Sequence, residues 1–372
     1  MPVGLYIHIP FCVKKCNYCD FVSFDNRSDM HDVYVSALIK EIGTYKKLDI
    51  DTVFIGGGTP SCIAPKHIDS ILSACRKQFR FTDDAEVSIE VNPATVNAEK
   101  LRIYCNAGVN RISMGVQSMN DDELIALGRL HRSRDVLESY DAIVNAGFTN
   151  INLDMISAAP NQSMESLMFT ANELCRLSPA HLSAYSLIIE QGTPLYSMHE
   201  RDELALPNED AEREMYDYIT EFFASQEYVQ YEISNFAKPG FECRHNLKYW
   251  QCEPYIGFGI AAHSYFNDTR YANASDIDTY ISLTKSRKSA VAEKTVLSHQ
   301  DMISDYIIMG LRLCKGIDLY TFQTHFGSDL LALFETEINR HIKNGFLQIQ
   351  GGCLAFTRQG INVSNSILCD FV

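Results

Sequence analysis

Three cysteines near the start of the chain have the spacing of a metal-cluster ligand set. Cys12, Cys16 and Cys19 follow the pattern C-x3-C-x2-C, and no fourth cysteine is nearby. Cysteine thiolates normally ligate all four irons of a [4Fe–4S] cluster, so three thiolates leave one iron open for a small chelating ligand. A structural zinc site usually has four protein ligands, often as two separate C-x2-C pairs, and no second pair is present. The triplet therefore predicts a [4Fe–4S] cluster with one open iron.

Polar residues follow several of the later apolar runs. Gly56-Gly57-Gly58-Thr59-Pro60 comes directly after one run, and Glu90, Gln117 and Asp154 lie at or near the ends of three others. Glycines let a backbone approach a ligand closely, and carboxylates can accept hydrogen bonds from ribose hydroxyls. Neither G-x-G-x-x-G nor the Gly-Lys of a phosphate loop is present. We expect these residues to point into one cavity; the alternative is that each is solvated or caps the following helix.

The elements that position these residues alternate between strands and helices. Runs rich in Val, Ile and Leu predict six strands, at Gly4–Pro10, Thr52–Ile55, Glu86–Val91, Arg111–Val116, Asn150–Ile156 and His181–Leu187. Amphipathic stretches between them predict helices, for example at Asp32–Lys47, Pro65–Phe79 and Arg134–Ala146. This alternation indicates an α/β protein with a parallel sheet, whose functional groups gather at the carboxyl ends of the strands. Six strands predict a partial (β/α)6 barrel, and a flat doubly wound sheet is the alternative.

The pattern changes after residue 190. Gln191–Pro207 is loop-like, Asn208–Gln226 predicts a helix, and Tyr228–Tyr271 is rich in Tyr and Phe. From about Leu297, three helical patterns and a hairpin resemble a winged helix, but the segment is too acidic to indicate DNA binding. We therefore divide the chain into a partial barrel (1–190), a barrel extension (191–296) and a C-terminal α-helical, winged-helix-like domain (297–372).

Composition excludes several classes of function. The chain has 372 residues, of which 46% are hydrophobic and 21% charged, as in ordinary globular proteins. A net charge of −15 argues against nucleic-acid binding. No run of about 20 apolar residues predicts a membrane-spanning helix, and the first ten residues do not have the pattern of a signal peptide. Twelve cysteines without an export signal suit a reducing compartment, so we expect a cytoplasmic protein.

These motifs resemble those of the radical S-adenosylmethionine (SAM) superfamily. The resemblance rests on the cysteine loop, the Gly-Gly-Gly-Thr-Pro segment and the segments Tyr6–Cys12, Gly115–Ser118 and Asn152–Ile156, and it covers almost the whole chain. It implies that Cys12, Cys16 and Cys19 hold the cluster and that SAM chelates the open iron, to be cleaved into methionine and a 5′-deoxyadenosyl radical. It also implies contacts with SAM from Tyr6, Tyr18, Gly57, Gly58, Thr59, Glu90, Gln117, Arg129 and Asp154.

Within the superfamily, the chain is similar to the oxygen-independent coproporphyrinogen III dehydrogenases and to the related HemW heme chaperones. The first group decarboxylates the propionates of coproporphyrinogen III, giving protoporphyrinogen IX. The second holds heme and transfers it to client hemoproteins, such as respiratory enzymes of the membrane. The dehydrogenases have a cysteine two residues after the third cluster cysteine, where this chain has Phe21, and they have additional residues before the cluster. Both departures favour the chaperone. A scaffold with a purely structural cluster would have no need of an open iron.

The segment Cys243–Trp250 supplies a candidate heme site, because it contains the His-Asn-x-x-Tyr-Trp signature of the chaperones. Imidazole is a common axial ligand of heme iron, and aromatic rings offer flat faces to a macrocycle. The heme-binding candidates are His245, Asn246, Tyr249 and Trp250, with Cys243, His8 and His263 as further candidate ligands. Without the resemblance, a hydrogen-bonded histidine within an aromatic core is the alternative.

Overall fold

The protein is described by a computed structural model of all residues, 1–372, and is built around one sheet of twelve strands. These strands are β1 (Val3–Ile9), β2 (Asp49–Gly57), β3 (Arg80–Val91), β4 (Arg111–Gln117), β5 (Asn150–Ser157), β6 (His181–Ser186), β7 (Val229–Glu232), β8 (Asn235–Ala237), β9 (Tyr255–Phe258), β10 (His263–Tyr265), β11 (Thr269–Asn273) and β12 (Val291–Val296). All six strands predicted from the sequence are present, although β2 and β3 begin earlier than predicted.

The strand order identifies the fold as a partial barrel. Strands β1 to β6 lie side by side in chain order, and every neighbouring pair among them is parallel. Successive right-handed crossovers in one direction place the connecting helices on one face of a sheet, which therefore curls into a barrel. A doubly wound sheet requires a reversal of strand order, which is absent among these six strands. The predicted α/β partial barrel is confirmed.

Further strands extend both edges of the parallel core. On one side β9 pairs in parallel with β1 and is followed by the antiparallel strands β10, β11 and β12. On the other side β8 and β7 continue antiparallel from β6. The segment 191–296 is thus part of the same sheet, and the strands do not close into a complete barrel.

The helices of the barrel and its extension are α1 (His31–Ile42), α2 (Pro65–Gln78), α3 (Ala98–Asn106), α4 (Asp121–Ala126), α5 (Ser133–Asn145), α6 (Met164–Leu177), α7 (Pro194–His199), α8 (Glu209–Ser225), α9 (Arg244–Trp250) and α10 (Ile277–Lys285). Helix α1 ends five residues before its predicted end, because the chain turns at Gly43 and Thr44. Gly108 and Gly147 follow α3 and α5 with φ of +85° and +93°, the left-handed geometry that glycine adopts readily after a helix.

The C-terminal segment has its own small core. It contains α11 (His299–Gly310), α12 (Leu319–Phe326), α13 (Leu330–Leu333), α14 (Glu335–Lys343), α15 (Arg358–Asn362) and α16 (Ser364–Leu368), with the three-stranded sheet β13 (Ile317–Asp318), β14 (Leu347–Gln350) and β15 (Cys353–Phe356). Fourteen buried apolar residues between Ile303 and Phe371 pack together, separately from the 55-residue core of the barrel. The predicted hairpin turns at Gly351 and Gly352, both with positive φ. No helix of the protein has the length and apolar character needed to cross a bilayer.

Candidate functional site

The loop that carries the three cysteines leaves β1 and is fixed by backbone contacts. The Cys12 amide donates to the Phe24 carbonyl at 2.9 Å, and the Phe24 amide donates to Pro10 at 2.7 Å, which closes the loop at its base. Asn17 extends across to the end of α4, where its amide donates to Leu127 at 3.0 Å and its side chain to Ala126 at 3.0 Å. The chain therefore holds this loop in place through atoms other than the thiols.

The three cysteines are free, partly exposed thiols that line one cavity of about 440 Å³. No three His, Cys, Asp or Glu side chains of the protein converge so as to hold a single metal ion. A four-iron cube distributes three cysteines over three different irons and does not require convergence on one ion. Thr59 Oγ1 lies 3.6 Å from Cys12 Sγ and donates toward it, and hydrogen bonds to sulfur of this kind tune iron–sulfur clusters. The donor set therefore fits a cluster.

The same cavity brings together eight of the nine residues predicted to contact SAM. Tyr18 comes from the cysteine loop and Arg129 from the connection after α4, and the other six lie at or just after the carboxyl ends of β2 to β5: Gly57, Gly58, Thr59, Glu90, Gln117 and Asp154. The ninth, Tyr6, lines a deeper cavity and hydrogen-bonds to His8 Nδ1 at 3.1 Å. The polar strand ends of the sequence thus form one site rather than separate helix caps.

Two glycines at the end of β2 allow the cysteine loop to pack against the strand. Gly57 has φ of +112°, and a Cβ there would lie 2.6 Å from the imidazole ring of His8. A Cβ on Gly58 would lie 2.7 Å from the Phe11 carbonyl oxygen, so both positions exclude larger side chains. Backbone bonds from Gly58 to Ile9 (2.9 Å) and from Thr59 to Phe11 (2.7 Å) then continue the pairing of the two chains into the site.

Arg129 is a buried cation of the cavity, whereas Lys14, which also lines it, is exposed. Its guanidinium donates to the Asn92 side-chain oxygen at 2.7 Å, to the Gly115 carbonyl at 2.6 Å and toward Cys16 Sγ at 3.5 Å. Asn92 in turn donates to Thr59 Oγ1 at 3.0 Å. The sequence prediction missed Asn92, although its position directly after a strand rich in buried residues was a usable signal.

Two of the four carboxyl groups that line the cavity, those of Glu90 and Asp154, lie near strand ends; Asp20 and Glu190 carry the others. Glu90 accepts from the Gly57 amide at 3.1 Å, and Asp154 accepts from Asn152 at 2.6 Å. Burial, and then the neighbouring Asp154, raise the pKa of Glu90 to about 8. Burial also raises the pKa of Asp154. A ligand with a positive charge or with hydroxyl donors would favour the ionised form of both carboxyl groups and would therefore lower their raised pKa values.

Gln117 ends β4 in a left-handed conformation, with φ of +69°. A residue other than glycine rarely adopts this geometry, which costs of order 1–3 kcal/mol and is concentrated at functional sites. The register of β4 against β5 shifts between Gly115 and Gln117, so the strand is irregular where it enters the cavity. The strained strand end directs the Gln117 side chain to the cavity wall.

The cavity that the cysteines line is the upper cavity, and a second, lower cavity of about 250 Å³ adjoins it at Glu90 and Asp154. The heme-binding candidates His245, Asn246 and Tyr249 line the lower cavity. His245 is fully buried; its Nδ1 is 2.8 Å from Thr52 Oγ1 and its Nε2 is 2.9 Å from the Tyr249 hydroxyl. Burial, and then Lys248, lower the pKa of His245 to about 3, so the ring is neutral. In this geometry neither ring nitrogen is free for iron, and the cavity is smaller than ordinary ligand sites.

The other candidate ligands lie outside the upper cavity. Trp250 faces the C-terminal segment, where the guanidinium of Arg312 lies 5.9 Å from its ring centre. Cys243 is buried against Glu86, and His263 is exposed on β10. His8 Nε2 donates to the Val22 carbonyl at 2.8 Å, which fixes the end of the cysteine loop, and His8 Nδ1 pairs with the Tyr6 hydroxyl. The signature segment therefore closes the barrel from below.

Comparison with known proteins agrees with this geometry. Residues 6–174 match the model of the radical SAM superfamily, and residues 297–363 match that of the HemN C-terminal domain. The chain is 35% identical over 372 residues to the protein of Bacillus subtilis named heme chaperone HemW, and the match covers 99% of this chain and 98% of that one. This chain belongs to the HemW family of the radical SAM superfamily. A second HemW, from Escherichia coli, is 38% identical over 267 residues, which cover 70% of each chain.

A solved structure shows how far the HemW-family fold extends. Coproporphyrinogen III oxidase (HemN) of Escherichia coli superposes with a TM-score of 0.87 over 100% of this chain and 90% of its own, at 23% identity. At this level of identity the similarity establishes the shared fold only. It covers the barrel, the extension and the C-terminal segment alike.

Proposed function

We propose that this protein is a heme chaperone that uses a [4Fe–4S] cluster and SAM. The observation that carries the proposal is the single cavity in which three free thiols meet the polar ends of four parallel strands. Cys12, Cys16 and Cys19 would hold the cluster, and SAM would chelate its open iron as an exchangeable ligand. The HemW relatives, which match nearly the whole chain, are named as heme chaperones and support heme as the cargo.

The residues of the cavity divide the work of binding SAM. When bound, a cluster of this family supplies an electron to the sulfonium of SAM. Arg129, held by Asn92 and the Gly115 carbonyl, places a buried positive charge where it attracts the SAM carboxylate. Glu90 and Asp154 offer acceptors to amino and ribose hydroxyl groups. The loop and the strand ends would orient SAM against the cluster.

Heme requires a larger, more accessible surface than the one beside His245. Three large apolar side chains at the mouth of the upper cavity are exposed: Phe21 (64%), Tyr185 (41%) and Ile188 (68%). Exposed apolar residues grouped at the rim of a polar cavity mark a binding surface. We place the heme macrocycle on this rim, above SAM. In this arrangement His245 is not an iron ligand, because Thr52 and Tyr249 occupy both of its ring nitrogens. It stabilises the barrel beneath the site.

The test is heme binding by anaerobically reconstituted protein, followed by the Soret band. Wild-type protein should bind heme saturably, and Ile188→Asp should weaken binding by about tenfold because it places a charge under the macrocycle. Ile349→Asp is the matched control, since Ile349 is 46% exposed in the C-terminal segment. Turnover of coproporphyrinogen III without heme uptake would instead support the dehydrogenase. We further propose that the protein acts in the cytoplasm and delivers heme to hemoproteins of the membrane. Heme transfer to an apo-cytochrome tests this delivery step.

A further inference from the structure

A concentration of unpaired positive charge lies at the opposite end of the barrel from the cysteine loop. Helices α1 and α10 both run back from the carboxyl ends of strands, and between their C-terminal ends is a cleft of about 890 Å³. Five cationic residues line it: Lys40, Lys46, Lys285, Arg287 and Lys288. The chain as a whole has 47 acidic and only 32 basic residues, so this grouping runs against its average charge.

These cations have no partner within the protein. All five are exposed, and none takes part in any of the protein's ion pairs or side-chain hydrogen bonds. The only acidic residue of the cleft, Glu41, is buried and points inward, where Asn273, Tyr280 and the Gly259 amide donate to its carboxyl. Like charges placed together repel one another, and an anion bound between them would relieve that repulsion.

Helix dipoles explain only part of the arrangement. Lys40 and Lys285 lie in the last turns of α1 and α10, where cations interact favourably with the exposed carbonyls. Arg287 and Lys288 directly follow α10, and their amides donate to the Thr284 and Leu283 carbonyls, so the same helix end also favours these two cations. Lys46 lies beyond the end of α1, in the loop that leads to β2. The helix ends therefore favour cations one by one, but they do not explain why five of them line one cleft.

We propose that this cleft is a binding site for a phosphate-bearing anion. Lys and Arg side chains are the usual ligands of phosphate oxygens. The cleft has the volume of an ordinary small-ligand site and lies away from the cavity assigned to SAM. The phosphate can belong to a soluble compound or to the headgroup of an anionic lipid, and the chemistry of recognition is the same for both.

The experiment uses the full-length protein and two probes. Inorganic pyrophosphate is titrated by calorimetry at about 50 and 300 mM salt, since screening should weaken binding to exposed charges. Vesicles of phosphatidylcholine, with and without phosphatidylglycerol, are tested by flotation. The double substitution Lys46→Glu with Lys288→Glu is compared with the control Lys294→Glu with Lys343→Glu, which makes the same change of net charge at exposed positions outside the cleft.

We expect the cleft variant to lose at least about tenfold in affinity and the control to stay within about twofold. Pyrophosphate binding that follows this pattern identifies a soluble phosphate compound. Flotation with phosphatidylglycerol alone that follows it, without pyrophosphate binding, identifies a lipid headgroup. No binding of either probe by the wild-type protein, or an equal loss in the control, overturns the proposal. Circular dichroism of both variants checks that they are folded.

Discussion

Substitution of Glu90 by glutamine should remove a pH dependence of SAM binding. Burial and the adjacent Asp154 raise the pKa of Glu90 to about 8, so most of the SAM-free protein carries a neutral carboxyl at pH 7. SAM brings a sulfonium cation into the cavity, and a cation binds more tightly once this carboxyl is ionised. Affinity should therefore rise with pH until Glu90 is ionised without help from the ligand.

The size of the effect follows from the pKa. Below about pH 8, binding of SAM releases one proton from Glu90, so affinity changes about tenfold for each pH unit. Between about pH 6 and 8 the ionised fraction of Glu90 in the SAM-free protein rises about fiftyfold, so affinity rises by up to about fiftyfold, or about 2.3 kcal/mol. Glutamine keeps an oxygen that can accept from the Gly57 amide, so the variant loses the titration but keeps this contact. The amino group of SAM titrates equally with both proteins, and the affinity ratio isolates Glu90.

The assay is anaerobic equilibrium dialysis of cluster-loaded protein with radiolabelled SAM at several pH values. S-adenosylhomocysteine, which lacks the sulfonium charge, should give a shallower slope. Glu41→Gln is the matched control, because burial raises the pKa of Glu41 to about 7 but the residue lies far from the cavity. A constant ratio between wild-type protein and Glu90→Gln at every pH would refute the reasoning.

Four further outcomes are expected. Cys16→Ser should abolish the visible absorbance of the reconstituted cluster while circular dichroism stays unchanged. Gly57→Ala should weaken SAM binding by about tenfold or more, measured by dialysis, because its φ is positive and its Cβ would meet a neighbouring ring. His245→Ala should lower the free energy of unfolding by about 2–4 kcal/mol in urea titrations while heme binding persists; loss of heme with unchanged stability would restore the imidazole as an iron ligand. Burial raises the pKa of Glu41 to about 7, so the wild-type fold is stabilised by the neutral carboxyl at low pH and loses this stabilisation as pH rises through 7. Glu41→Gln has no such titration. Its free energy of unfolding, relative to that of the wild-type protein, should therefore rise by about 2 kcal/mol between pH 5 and 7.5.

The parallel core of the fold could be predicted because several of its strands, such as β1, β4 and β5, are buried along nearly their whole length and therefore contain compact apolar runs. The order of the strands within the sheet was an assumption, because periodicity identifies each strand but does not show which strands are neighbours. The extension was less predictable. Strands β7 to β12 are short, and several contain polar or aromatic residues. Their place depends on pairing rather than on local pattern: β9 pairs with β1, β8 pairs with β6, and the other four add to these two.

The site illustrates the same division. The polar strand ends were predictable because parallel strands bring successive carboxyl ends to one edge of a sheet. The location of His245 was not, because a sequence motif does not show which end of a barrel its helix closes. Glu86 determines this: its carboxylate accepts from the amides of Arg244 and His245 and holds the start of α9 beneath the sheet. That contact joins residues about 160 positions apart, beyond the reach of local reasoning.

The anchoring of the cysteine loop affects what happens to the protein when oxygen destroys its cluster. The cysteine loop is held by Asn17, Phe24 and their backbone partners, and none of these bonds involves a thiol. We therefore expect the loop to keep its conformation when oxidation removes the cluster. Iron and sulfide would then bind to a loop that is already ordered, so that little conformational entropy of the chain is lost on reassembly. We expect protein that has lost its cluster to regain it when iron and sulfide are added anaerobically, without a refolding step.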